Sequence, residues 1–460
     1  MTEKKAMFSG RELVSIVLPL IIQQILAVTI GAVDSMMVSY AGEAAVSGVS
    51  LVNTLDVFLV VSFTSLVTGG SVVVSQFLGK KDPESSRAAA KQLLYVSTGI
   101  ALLITVIVVL FRDPILVALF GKAEKAVMDS ARSYFLIVAL SFPFLAIDGA
   151  VSALFRVMGN SLISMYVSIG MNIINVCGNA FFIRSLEMGA AGAALSTLIA
   201  RIAGAVVLLV LIRSKKNIVY IENLFSYRPD KDVIKRILQI GVPNGVENSM
   251  FQLGKLLTQS LISSMPTYAI AANSVANTLA NFQYMPGTAF SNTMITVVGR
   301  CIGAGEKEQA KKYARLLTFC TYVGLWIVVI CTFVFSAAVI GMYDLSPDAS
   351  KLARELIIYH AVCAAVMWPV AFTLPASFRA ASDVKFPLAV SMFSMWTFRV
   401  ALSYVFSLES VTVFGFTFAG LGLGAMGVWV AMTVDWVFRT ALFLYRHFSG
   451  KWLRFYKDSK

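Results

Sequence analysis

Apolar residues come in long runs, and the spacing of those runs organises the chain. Stretches of spanning length lie at 13–39, 46–78, 89–111, 129–154, 161–184, 187–212, 234–263, 268–299, 312–343, 354–377, 386–407 and 418–445. Most hold about the 20 residues that a helix needs to cross a bilayer. Turns marked by Gly, Pro, Ser and Asn separate most of them. One longer polar stretch, 213–233, carries Arg213, Lys215, Lys216, Arg228 and Lys231 and divides six runs from six. The pattern predicts an all-α integral membrane protein of twelve transmembrane helices, with a first half over 1–212, a cytoplasmic linker over 213–233, a second half over 234–446 and a tail over 447–460.

The halves repeat. Pro19 has its counterpart in Pro243, Asn53–Thr54–Leu55 in Asn277–Thr278–Leu279, and Gly79 in Gly303, all at an offset of 224 residues. Phe155–Arg156 recurs as Phe378–Arg379 at 223. Each half has an even number of spans, so both start on the same side and the repeat is parallel, related by an axis along the membrane normal. Two such six-helix lobes, pseudo-symmetric and rocking against each other, suit alternating access. A proline inside a soluble helix costs about 3 kcal/mol, whereas in a bundle neighbouring groups re-satisfy the freed carbonyl. Pro19 and Pro243 are therefore expected to be hinges.

Composition agrees with a polytopic membrane protein: 58% of residues are hydrophobic and 14% charged, against about 25% charged in soluble domains. A net charge of +13 would suggest nucleic acid as a partner if it were clustered on a soluble surface. Instead, 27 of the 38 Lys and Arg lie on the side of the two termini, seven on the opposite side and four inside spans. That asymmetry places both termini in the cytoplasm of a multi-pass protein of the inner (plasma) membrane. The basic residues set topology and meet anionic lipid. The N-terminal MTEKKAMFSGRE leads into the first span without a small-residue cleavage site, so the first helix is expected to stay. The five cysteines show no CxxC spacing and are expected to be packing residues.

Ionisable residues within spans need a reason, because hydrocarbon penalises them. They are Asp34, Asp56, Asp148 and Arg201 in the first half, and Glu247, Lys255, Arg399, Asp435 and Arg439 in the second. Asp435 and Arg439 stand four apart, the spacing at which opposite charges on a helix meet, and predict a structural ion pair. Glu247 and Lys255 share one helix but stand about 80° apart around it and about 12 Å along it, so each must serve a separate partner. Lys255 either faces a substrate cleft or neutralises an acid such as Asp56. Arg201 and Arg399 are open to roles as counter-ions or as donors to broken backbone. Asn53, Asp56, Lys255 and Asn277 are candidates for lining a substrate cavity. The two histidines, His360 and His447, form no metal-ligand or nucleophile–base constellation, which argues against an enzyme.

Over essentially its whole length the sequence resembles the MATE family of multidrug and toxic compound extrusion transporters, standing between its DinF-like and NorM-like branches. The resemblance is carried by VDSMMVSYAGEAAVSGVS around Asp34, the GKKDPESSRAAAK loop, NIINVCGNAFFI followed by GAAGAALST, and FRAASDVKFPLAVSMFSMWTFRVALSY. It implies the MATE fold of the MOP exporters and export of organic cations or amphipathic drugs in exchange for protons or sodium ions. It also implies a cation site in the first lobe, which falls on Asp34, Asn175, Asn179 and Thr197. Asn179 stands where the family's fuller site has a second acid, leaving one formal negative charge. The NorM-like branch uses a second-lobe carboxylate, matched by Glu247.

The expected function is a secondary antiporter with a cationic, lipophilic small-molecule substrate, membrane lipid as its surroundings and no cofactor beyond the coupling ion, working as a monomer. No metal site other than sodium at the Asp34 set is expected. A bare carboxylate crosses a low-dielectric cycle only at high cost, so competition between coupling ion and substrate for Asp34 would enforce exchange. The alternative within the superfamily is a flippase for a lipid-linked precursor.

Overall fold

A computed structural model describes residues 6–455 apart from 122, 225, 227, 344 and 414–415. The chain forms two compact units, Met1–Gly245 and Val246–Lys460. In the first, α1 (Gly10–Ser39) and α2 (Glu43–Gly79) are long single helices, and α3 (Pro83–Phe120) is kinked at Phe111, whose backbone leaves the helical region three residues before Pro114. The helices α4 (Lys125–Leu140) and α5 (Phe142–Val157) make one crossing bent by 44°. Next come α6 (Ser161–Asn179), extended by a π-helical turn at Ala180–Ser185, and α7 (Gly189–Ile212). The helix α8 (Lys231–Ser263) runs through the division between the units.

In the second unit, α9 (Thr267–Gln283) and α10 (Met285–Gly303) are separated at Tyr284, and α11 (Lys307–Gly341) follows. The pair α12 (Pro347–Trp368) and α13 (Pro375–Ala380) flanks a π segment at Pro369–Thr373, and α14 (Lys385–Ser394) and α15 (Leu402–Ser407) flank another at Met395–Ala401. The last crossing is α16 (Ala425–Phe448). Among the described residues, nine of these segments, ten with the bent pair, are long and apolar enough to cross a membrane by length and composition alone. The helix α8, which carries Glu247 and Lys255, and the broken pair α9–α10 are not among them.

Two features go beyond the helical pattern. Within the all-α architecture, Ser410–Val413 and Phe416–Ala419 pair as a short antiparallel hairpin, and α16 follows at Ala425, inside the apolar run that begins at 418. The hairpin sequence, SVTVFGFTFA, is made of β-branched and aromatic residues around a glycine, which favours strands while scoring as apolar. The polar stretch 213–233 is held against the helices that precede it. Arg87 donates to Ile218 O at 3.2 Å and lies 4.1 Å over the Tyr220 ring, Gln92 donates to Arg228 O at 2.6 Å, Tyr95 donates to Leu224 O, and Val219 and Ile221 are buried.

The repeat is visible in the backbone. Lys81 and Gly305 both take positive φ, and the residues after them close the same turn, Asp82 N–H to Phe77 O at 3.2 Å and Glu306 N–H to Cys301 O at 2.9 Å. Gly159 and Ser382 form a second matched pair, with Asn160 N–H to Phe155 O and Asp383 N–H to Phe378 O both at 2.9 Å. Each is a left-handed helix end that satisfies orphan carbonyls. Packing follows the same economy. A Cβ on Gly287 would stand 1.8 Å from the Trp368 ring, so the start of α10 seats itself against α12 only as glycine. Pro19 and Pro243 both lie inside continuous helices.

Candidate cation site and the charges around it

The four residues expected at the first-lobe site meet. Asn175 and Asn179 lie one turn apart on α6, Asp34 on α1 and Thr197 on α7. Asn179 Nδ2 donates to Asp34 Oδ1 at 2.7 Å and lies 3.3 Å from Asn175 Oδ1, while Asn175 Nδ2 donates to Thr197 Oγ1 at 3.2 Å. Thr197 is itself anchored by donating to Ala193 O at 3.1 Å. Gly178 makes the approach of α6 to α7 possible, since a Cβ there would stand 2.9 Å from Ser196 Oγ. Asn179 Oδ1 is buried and has no hydrogen-bond partner among the described residues. A buried acceptor left unmatched is destabilising unless something occupies it. The set offers one carboxylate and three neutral side chains bearing oxygen, which suits a monovalent cation or a proton. The π turn begins right after Asn179, a distortion common next to functional sites.

The other first-unit charges are partnered. Arg201 Nη1 donates to Ser141 Oγ at 2.7 Å and Nη2 lies 3.8 Å from Asp56 Oδ2, so the cation that neutralises Asp56 is Arg201. Ser152 donates to Asp148 at 3.5 Å, and the charges of Arg156 and Arg201 bear on it. Asn53 Oδ1 accepts from the Tyr134 hydroxyl at 3.3 Å.

In the second unit Glu247 is closed rather than open. Arg379 Nη2 lies 2.8 Å from both its oxygens and Ser391 Oγ donates to Oε1 at 2.8 Å. Ser391 in turn accepts from Arg439 Nη1 at 3.1 Å. Arg439 Nε pairs with Asp435 at 2.8 Å, the bridge expected from their spacing, and Ser394 donates to the same carboxylate. Asn277 caps back onto Asn273 O at 3.0 Å. His360 is fully buried with both ring nitrogens engaged, by Tyr284 and Gln283 at 2.6 Å each, which leaves it no free nitrogen for chemistry.

Sequence reasoning missed Arg379 and Ser391 as partners of Glu247, yet the repeat contains the signal. Glu247 corresponds to Gln23 at an offset of 224, and Ser391 to Ser168 at 223. In the first unit Gln23 Nε2 donates to Ser168 Oγ at 3.2 Å. The same contact is thus built twice, neutral once and charged once.

The family model MatE matches residues 19–181 and again 243–405, two copies displaced by the same 224 residues as the internal repeat. The chain belongs to the MatE family. Among similar proteins, the uncharacterized transporter YisQ of Bacillus subtilis (strain 168) is 28% identical over 96% of this chain and 95% of its own. The probable multidrug resistance protein NorM of Thermotoga maritima is 25% identical over 96% and 93%. A solved outward-facing multidrug resistance MATE family transporter of the MOP superfamily superposes with a TM-score of 0.87 at 17% identity, covering 96% of both chains. As a MatE protein this chain is a multi-pass membrane transporter, not an enzyme, with the family's twelve transmembrane helices in two lobes, and its family acts in efflux of small-molecule drugs.

Proposed function

We propose that the protein is a secondary antiporter that exports cationic, lipophilic small molecules in exchange for a proton or a sodium ion, by alternating access, as a monomer with both termini in the cytoplasm. The observation that supports this reading is the Asp34–Asn179–Asn175–Thr197 set with its unmatched Asn179 oxygen. A proton, a sodium ion and a cationic substrate each neutralise Asp34, so they compete for it, and the competition couples their movements. Glu247 takes a cation only by giving up Arg379, so the coupling ion is assigned first to Asp34. Topology rests on the distribution of Lys and Arg.

The test is efflux of a fluorescent organic cation from proteoliposomes, with a sodium gradient in one sample and a pH gradient in the other. Efflux under one gradient names the ion. Asp34→Asn is expected to abolish it while inserting and folding normally, and unchanged efflux in that variant would sink the proposal. No efflux under either gradient from folded wild-type protein would favour the flippase, to be followed by a lipid-translocation assay.

A further inference from the structure

The spans of the second unit hold two cations that the ion pairs do not use. Glu247 is taken by Arg379 and Asp435 by Arg439. Lys255 and Arg399 remain, and among the described residues neither makes an ion pair. Arg399 lies on the π segment Met395–Ala401, with its guanidinium 5.1 Å over the Phe251 ring and its Nε buried with no hydrogen-bond partner among the described residues. Phe251 and Lys255 are one turn apart on α8, so Arg399 and Lys255 share one side of that helix, within each other's electrostatic reach. Asp435 also feels Arg399 but is already held by Arg439 at 2.8 Å. Lys255 is exposed, and it stands eight residues before the end of α8, about 12 Å along the axis. It is thus not a terminal lysine reaching for the interface.

Two unpaired cations inside membrane spans are costly unless an anion or water meets them. We propose that Lys255 and Arg399, on the side of α8 that carries Phe251, form an anion subsite that takes the carboxylate of a zwitterionic amphipathic cargo. The aromatic ring supplies the apolar wall beside the charge, and Arg439, whose guanidinium lies 5.6 Å from the same ring, is already neutralised by Asp435. The proposal rests on the small-molecule export reading above and specifies its substrate class. The guanidinium fork matches the two oxygens of a carboxylate and the ammonium adds a further charge-assisted donor, and the phosphatidate arm of the experiment separates this anion from lipid phosphate.

The experiment is equilibrium binding of rhodamine B, zwitterionic at neutral pH, and of its methyl ester, a plain cation of the same shape, to purified protein by fluorescence polarisation. Because binding is read without any gradient, failure of antiport leaves this result standing. Rhodamine B is expected to bind more tightly than the ester. Lys255→Gln and Arg399→Gln are each expected to weaken rhodamine B about tenfold and leave the ester unchanged, while Arg399→Lys retains the preference and all variants melt as wild type does. Equal binding of the two dyes, binding of neither, or an equal response of both to Lys255→Gln overturns the proposal. Displacement by a short-chain phosphatidate without a preference for the free acid would make lipid phosphate the anion, and overturns it too.

Discussion

The contact between Glu247 and Arg379 makes a prediction whose size follows from its geometry. Both side chains are largely withdrawn from solvent, at 9% and 15% exposure, and one guanidinium nitrogen spans both carboxylate oxygens at 2.8 Å. Arg379→Met leaves a buried carboxylate with only the Ser391 hydroxyl, a loss of about 3–5 kcal/mol. Glu247→Gln keeps the Ser391 contact but strands the guanidinium, at a cost of about 1.5–3 kcal/mol. Removing both charges together leaves no stranded ion and should cost about 1 kcal/mol. The singles and the double are therefore strongly non-additive, with an interaction of about 3 kcal/mol or more. Unfolding by SDS titration in mixed micelles measures all three variants against the wild type. Additive losses, or an Arg379→Met protein as stable as the wild type, would refute the view that Glu247 is a fastening.

Other expectations are simpler to check. Thr197→Val removes the hydroxyl that accepts from Asn175, so any sodium-driven efflux should weaken by about tenfold, a change of about 1.4 kcal/mol, while proton-driven efflux persists; flux assays under the two gradients separate these. Gly287→Ala places a methyl 1.8 Å from the Trp368 ring, and overpacking of that kind should cost about 1–3 kcal/mol, read as a lower melting temperature. Outside the membrane, the Ser85 hydroxyl and backbone hydrogen bonds hold the Asp82 carboxyl below its ordinary 3.8. A lowered folded value means that this cap on α3 is present in full above the unfolded value and is lost as the pH falls through the folded one. Amide exchange at Ser85 should therefore quicken only in acid below that range, and equally fast exchange at neutral pH would count against the cap.

The twelve crossings and the doubled architecture were readable because hydropathy and a constant offset are properties of a line of residues. The Asp435–Arg439 bridge was readable because its spacing is local to one helix. What periodicity does not carry is contact between distant helices: Arg201 with Asp56, or Arg379 with Glu247, separated by 132 residues. The interruptions within crossings were equally hidden. Ser141, Tyr284 and the π segments break the hydrogen-bond pattern of helices without changing their apolar character, and the hairpin at Ser410–Ala419 is as apolar as a span. The Asp34 set was found through family resemblance, with the geometry coming from the structure.

The duplicated contact between the first and fifth crossings of each half has a mechanical consequence. In the first unit it is one neutral hydrogen bond, Gln23 to Ser168, worth about 1 kcal/mol. In the second unit the same place is bolted by a buried ion pair and a serine. The repeated contact is thus more weakly fastened in one half than in the other. The weaker one is in the half whose first helix also carries Asp34, so under the proposed coupling a cation at that set would act on the helix with the lighter restraint.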